Sequence, residues 1–252
     1  SEPSGAVIPD RDALIMELPR PEATSAALVI RAKNSILLDY MMGEFNQLFG
    51  DAYQSFVRKR QGFSGERLSQ WSVNQGIPLD LSVERNGKWE HVDYYNVVGP
   101  MAFKEDVLGF ALNGHESNPL RVKLESGYFF WEIDYTGLGI INPAETVTTL
   151  VSAASAMNEA GEDMSGCLKS DDQQYYTQPE TTSFAEISFT LPELTTGERS
   201  LFLHSKGWYQ ILMDPKGKPD RKYLMTFREP GRFNQFVAEK FSRLAQLAGS
   251  NK

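Results

Sequence analysis

The sequence predicts a mainly β protein of sandwich type, with an inserted helix, a second β-rich part and a C-terminal helix. Short apolar runs alternate at period two and end at Gly, Asn or Pro with a spacing of roughly 8–12 residues, the pattern of many short strands. The stretch 36–60 instead changes to a period of three and four. Three stretches, starting at Val29, Val122 and Leu201, also resemble one another: each is an alternating strand, a small polar break, then a dense aromatic or aliphatic run. The copies at Val122 and Leu201 read as strands on both sides of the break, whereas the copy at Val29 runs into a helix. They predict two β units with a third, diverged relative.

Strands are expected at 13–18 and 26–32, on either side of a Pro19 to Pro21 break where proline removes backbone donors. From 36 to 60, Leu38, Met41, Phe45, Leu48, Tyr53 and Phe56 form an apolar stripe, the best amphipathic helix in the chain. Gly50-Asp51 splits it, with Asp51 as the new cap. Leu79, Leu81 and Val83 alternate up to Arg85-Asn86-Gly87-Lys88, a hairpin turn because Asn-Gly tolerates positive φ, and Val92 and Tyr94 continue the return strand. Further strands are expected at 107–112, 120–125 and 129–135 after a Gly99-Pro100 break. Composition shifts at Asn142-Pro143, and 144–183 is a polar insertion with a helix at 145–157. Strands resume at 185–191 and 200–213, and Phe233, Phe236, Val237, Phe241, Leu244 and Leu247 place the final helix at 232–247. The domain boundaries that follow are 13–142, holding the helix 36–60, and 143–250, holding the polar insertion and the C-terminal helix.

Composition excludes several classes of function. With 252 residues and 41% hydrophobic content the chain can bury a core. No run approaches the ~20 apolar residues of a membrane helix. A net charge of −8 without a basic stripe argues against nucleic acid as a partner. Cys167 is the only cysteine, so no internal disulfide and no multi-cysteine zinc motif is available. The opening Ser1-Glu2-Pro3-Ser4-Gly5 resembles the polar tail left after removal of a leader or trimming of a lipoprotein anchor. It points to a secreted, periplasmic or outer-surface location.

Leu81-Ser82-Val83-Glu84, the Asn-Gly hairpin, Leu120 to Leu124 and above all Trp131-Glu132-Ile133-Asp134-Tyr135 resemble the strands of galactose-binding-like jelly-roll domains. That resemblance covers about a quarter of the chain. It implies a jelly-roll-like β-sandwich and carbohydrate binding through end loops; the helix at 36–60 and everything after Pro143 depart from the pattern. As a whole, the chain is also similar to uncharacterised secreted bacterial proteins, which implies no activity.

Chemistry-bearing motifs are sparse. His91, His115 and His204 have no metal-ligand spacing, and the serine-elbow, dinucleotide and phosphate-loop patterns are absent. Glu162-Asp163 and Asp171-Asp172 carry the chemistry for Ca²⁺ or, with Asp134, for a general acid and base pair; in a polar segment such acids more often are solvated loop charges. Trp131, Tyr175, Tyr176, Trp208 and Tyr209 could stack on a sugar or cover a peptide, although aromatic residues of sandwiches are more often core, as is expected of Tyr94-Tyr95. Arg228 and Arg232 bracket the start of the last helix, as an anion clamp or as part of a capped turn. Together these readings predict a non-enzymatic binding or assembly module for a glycan or protein surface, needing no cofactor. The rivals are a hydrolase of carbohydrate or peptide using paired carboxylates, and a structural subunit of an oligomer.

Overall fold

The computed structural model describes residues 10–140, 148–194, 197, 199–207 and 212–250; in the last helix the side chains at 245 and 247–250 are outside that description. With 31% strand and 26% helix the protein is mixed and β-rich, more helical than the mainly β expectation. Its sheets are antiparallel, and among the described residues none closes into a barrel.

In chain order, β1 (Arg11–Leu18) and β2 (Ser25–Asn34) lead into α1 (Ile36–Gln47), a single 3-10 turn (Gly50–Ala52), α2 (Tyr53–Gln61) and α3 (Gly65–Asn74). Next come β3 (Leu79–Arg85), β4 (Lys88–Tyr95), β5 (Lys104–Ala111), β6 (Leu120–Gly127) and β7 (Trp131–Ile140). Then follow β8 (Ser155–Asn158), α4 (Ser165–Leu168) and β9 (Ala185–Ser188), and finally α5 (Arg221–Thr226) and α6 (Arg232–Ser250). Two compact units result, one made of Ser1–Asn142 with Met213–Lys252 and the other of Pro143–Leu212. The C-terminal helix, expected in the second part, thus belongs to the first unit. The reason is apolar: Phe233, Phe236 and Val237 bury themselves with Leu38, Met41 and Phe45 of α1.

The first unit holds a four-stranded sheet in the order β1-β6-β3-β4 and a three-stranded sheet in the order β5-β2-β7. Period-two alternation sends Ala26, Leu28, Ile30 and Ala32 from β2, Leu81 and Val83 from β3, and Val122 and Leu124 from β6 into one shared core. The Tyr95 hydroxyl crosses it, donating to the Leu28 carbonyl at 2.6 Å. Asn86 (φ 50) and Gly87 (φ 73) make the expected two-residue hairpin, with Arg85 paired to Lys88. At the same end of the chain's β region, the buried carboxylate of Glu116 receives Arg85 Nε at 2.9 Å and Arg20 Nη2 at 3.3 Å, together with the amides of Asn113 and Gly114 at 3.0 Å each. Three connections, β1 to β2, β3 to β4 and β5 to β6, are therefore tied to one acid.

Ser35 caps α1 by accepting the amide of Leu38 at 3.2 Å, and Asp39 suits its positive end. The helix 36–60 breaks at Gly50-Asp51 as expected, but Asp51 is not a cap. Its carboxylate accepts the amide of Gly217 while its own amide donates to the Gly217 carbonyl at 2.9 Å. Gly50 sits at φ 47 with Gly217 so close that a Cβ would collide with that backbone. The segment before α5 is thus held against the α1–α2 junction. Trp131 stands where the sheet core and the helical cluster meet, packing on both while Nε1 donates to the Ile77 carbonyl at 2.9 Å.

The second unit departs further from expectation. The strand expected at 185–191 is shortened to β9, which pairs antiparallel with β8. Of the helix expected at 145–157, residues 145–147 lie outside the described residues, 148–154 carry no helix, and 155–157 are in β8. Thr148, Thr149 and Val151 explain this, since β-branched side chains lose χ1 freedom in a helix. Of the strand expected at 200–213, residues 200–207, 212 and 213 carry none and 208–211 lie outside the described residues; Leu201, Phe202 and Leu203 are exposed, with no partner strand among the described residues.

Candidate functional site

The expected site residues are divided between the two units. Trp131 is a seam residue of the first unit with its indole N–H already satisfied. The Tyr176 hydroxyl donates to the Phe184 carbonyl at 2.7 Å and lies 3.0 Å from the Glu159 carboxylate, a local turn brace, while Tyr175 is exposed. Asp171 is paired with Lys206 at 2.5 Å, and Asp172 accepts the Ser170 hydroxyl and the Gln174 amide within its own turn. Asp134, in the first unit, is paired with Arg31 at 2.9 Å. Trp208 and Tyr209 lie outside the described residues. Glu162 and Asp163 brace the turn after β8, accepting Asn158 Nδ2 and the Ser165 amide at 2.8 Å each. Among the described residues no three acids, histidines or cysteines gather as a metal cage. Of the anticipated arginine clamp, Arg232 turns back onto its own helix and neighbours: it pairs with Glu239 at 3.2 Å, donates to the Tyr223 hydroxyl at 2.9 Å and lies over the Phe227 ring. Arg228 points the other way, into a cleft that the sequence did not disclose.

That cleft, about 800 Å³, lies wholly within the first unit. Residues of α1, α2, α3, α5 and their connections line it, and three helix starts hold that frame. Ser64 caps α3 by accepting the Arg67 amide at 3.3 Å, and Asp220 caps α5 by accepting the Tyr223 amide at 3.0 Å. The third start, that of α6, uses a distant side chain. Gln75 is fully buried, accepts the Phe233 amide at 2.7 Å, and donates to the carbonyls of Phe227 and Glu229 at 3.2 and 2.9 Å. One glutamine thereby fixes the end of α3 to the α5–α6 connection. Trp71 adds a second tie, Nε1 to the Phe227 carbonyl at 3.0 Å.

Aromatic rings make the floor. Phe49 stacks on Phe56 at 3.9 Å, and Phe45 stacks on Trp71 at 5.5 Å and tilts against Phe227 at 4.8 Å. Offset and edge-on arrangements of this kind hold rings rigidly. Five cations stand around them, Lys59, Arg60, Arg67, Arg221 and Arg228, and among the described residues no carboxylate lines the cleft. None of the five has an ion-pair partner among the described residues. Arg67 lies 3.9 Å over the Phe63 ring, and Arg60 lies 5.4 Å over Phe56 and 6.0 Å from Trp71. Burial lowers the Arg60 pKa from its usual value, opposed in part by the nearby Tyr53 hydroxyl. Arg60 is half-buried, whereas Lys59, Arg67, Arg221 and Arg228 are exposed. Lys59 and Arg60 also complement the carbonyl end of α2, which accounts for their place in the sequence but not for the ring stacking.

No family model, curated protein or solved structure matches the chain. Arg60, Phe63, Arg67 and Trp71 alternate cation and ring at a spacing of three and four, but they straddle the break between α2 and α3, so the spacing alone does not put them on one face.

Proposed function

We propose that this protein is a non-enzymatic binding module, and that the aromatic, cation-rimmed cleft is where it takes a ligand combining apolar surface with negative charge. The supporting observation is single: five cations without carboxylate partners ring an apolar floor in a chain whose net charge is −8. Like charges crowded on one face without counter-charges repel one another, and an anionic ligand relieves that repulsion. In this reading the two-sheet core is the scaffold, a jelly-roll-like sandwich of extracytoplasmic type, and binding sits on the helices added to it. The glycan and hydrolase readings draw less support. Of the side chains they need, Trp131, Tyr176, Asp134, Asp171 and Asp172 are engaged in local hydrogen bonds and ion pairs.

A pair of matched dyes tests this. Anilinonaphthalene sulfonate should bind the folded protein at least about tenfold more tightly than neutral N-phenylnaphthylamine, the gap closing in high salt and in Arg67→Gln with Arg228→Gln. Equal binding of both dyes, or sulfonate binding indifferent to those substitutions, would overturn the proposal.

A further inference from the structure

Resting on that reading, we infer that the occupant of the cleft is an amphipathic helical segment of a partner protein, with aromatic or aliphatic anchors on one face and Asp or Glu along both flanks. Charge complementarity carries the argument. A single anionic head group would be met by cations gathered at one point. Here they are distributed: Lys59 and Arg60 on α2, Arg67 on α3, and Arg221 and Arg228 on and just beyond α5. Such a spread suits an occupant bearing several separate carboxylates. Arginine is the right residue for it, because its planar fork takes a carboxylate bidentately and stacks on aromatic faces at once.

The mode of docking follows from the lining. Every residue of it comes from helices and their connections, none from a strand, so no open sheet edge is there to receive an extended peptide. What remains is the helix-in-groove mode, in which anchors spaced by three and four enter an apolar trough. Met225, on α5 and 59% exposed within this trough, adds the adaptable thioether surface common where side chains of different shape must be accommodated.

The test is a display library of about 16-residue helix-forming peptides, ~24 Å long, selected on the immobilised full chain. Enriched sequences are expected to pair two or more large apolar anchors at i and i+3 or i+4 with net negative charge. Synthetic versions should lose about tenfold or more in affinity on raising salt from 50 to 500 mM. Arg67→Glu with Arg228→Glu should reject the acidic peptides and accept their Lys-for-Glu counterparts, with circular dichroism verifying the fold. The salt series on the unaltered chain decides the matter if that variant misfolds. Enrichment without acidic bias, or salt-independent binding, overturns the inference. So does cleft-dependent binding of oleate or phosphatidylserine vesicles without peptide binding, and so does self-association of the chain that the same charge reversal abolishes. If peptides fail while the sulfonate dye still depends on the cleft, the inference falls and the binding reading stands.

Discussion

Replacing Glu116 by Gln should cost about 3 kcal/mol at pH 7 and much less in acid. Burial by itself would raise the pKa of this carboxyl. The Asn113 amide, Arg85, and the amides of Glu116 and Gly114 outweigh burial and bring it from 4.5 down to about 2. The fall from 4.5 to about 2, at about 1.4 kcal/mol for each tenfold change in proton affinity, corresponds to about 3–3.5 kcal/mol. Because the folded-state value is the lower one, this stability is fully present above the unfolded value of 4.5 and is lost as pH falls toward 2. At pH 3 about 2 kcal/mol of it should be gone. The remaining difference between the two proteins should be about 1 kcal/mol. Glutamine keeps the shape, leaves Arg20 and Arg85 without their anion, and cannot titrate. Urea denaturation of both proteins at pH 7, 4.5 and 3 measures the difference, and the other carboxylates, common to both, cancel. A difference below about 1 kcal/mol at pH 7 would mean that the acid gains little from its partners, and one that stays constant down to pH 3 would mean that the gain does not come from its charge; either would refute the reasoning.

Two further substitutions probe the frame behind the cleft. Gln75→Leu leaves the buried Phe233 amide and the Glu229 carbonyl without their partner, and should lower stability by about 2–4 kcal/mol in urea titration and abolish sulfonate-dye binding with it. Gly127→Ala places a methyl against the Phe130 ring and the Asn234 amide, and should cost about 1–3 kcal/mol, read as a drop in Tm.

Much of the sheet region was readable from residues alone. Alternation located β1, β2, β5 and β6 to within a few positions, and Asn86-Gly87 named its own turn. The split helix at 36–60 and the stripe of α6 were equally plain, because each buries a face that the spacing exposes on paper. What could not be read has a physical reason in each case. The helix α3 buries no residue fully, and α5 has only six residues, so neither carries the long apolar stripe that marks α6. The cleft needs Arg60 beside Phe227, residues more than a hundred positions apart, brought together by Gln75 and Trp71 rather than by any local pattern. In the sequence Arg228 and Arg232 stand four apart, the spacing of one clamp. Four positions is one helical turn only inside a helix, and Pro230-Gly231, at φ 73 on the glycine, stands between them.

The indole of Trp131 gives the first unit an indivisible character. Its ring closes two hydrophobic clusters at once, so melting either would strip contacts from the other, and sheets and helices should come apart in a single cooperative step. An occupant held between α3 and α5 would then protect strands it never touches. The amides of β6 should exchange more slowly with solvent whenever the distant helical cleft is filled.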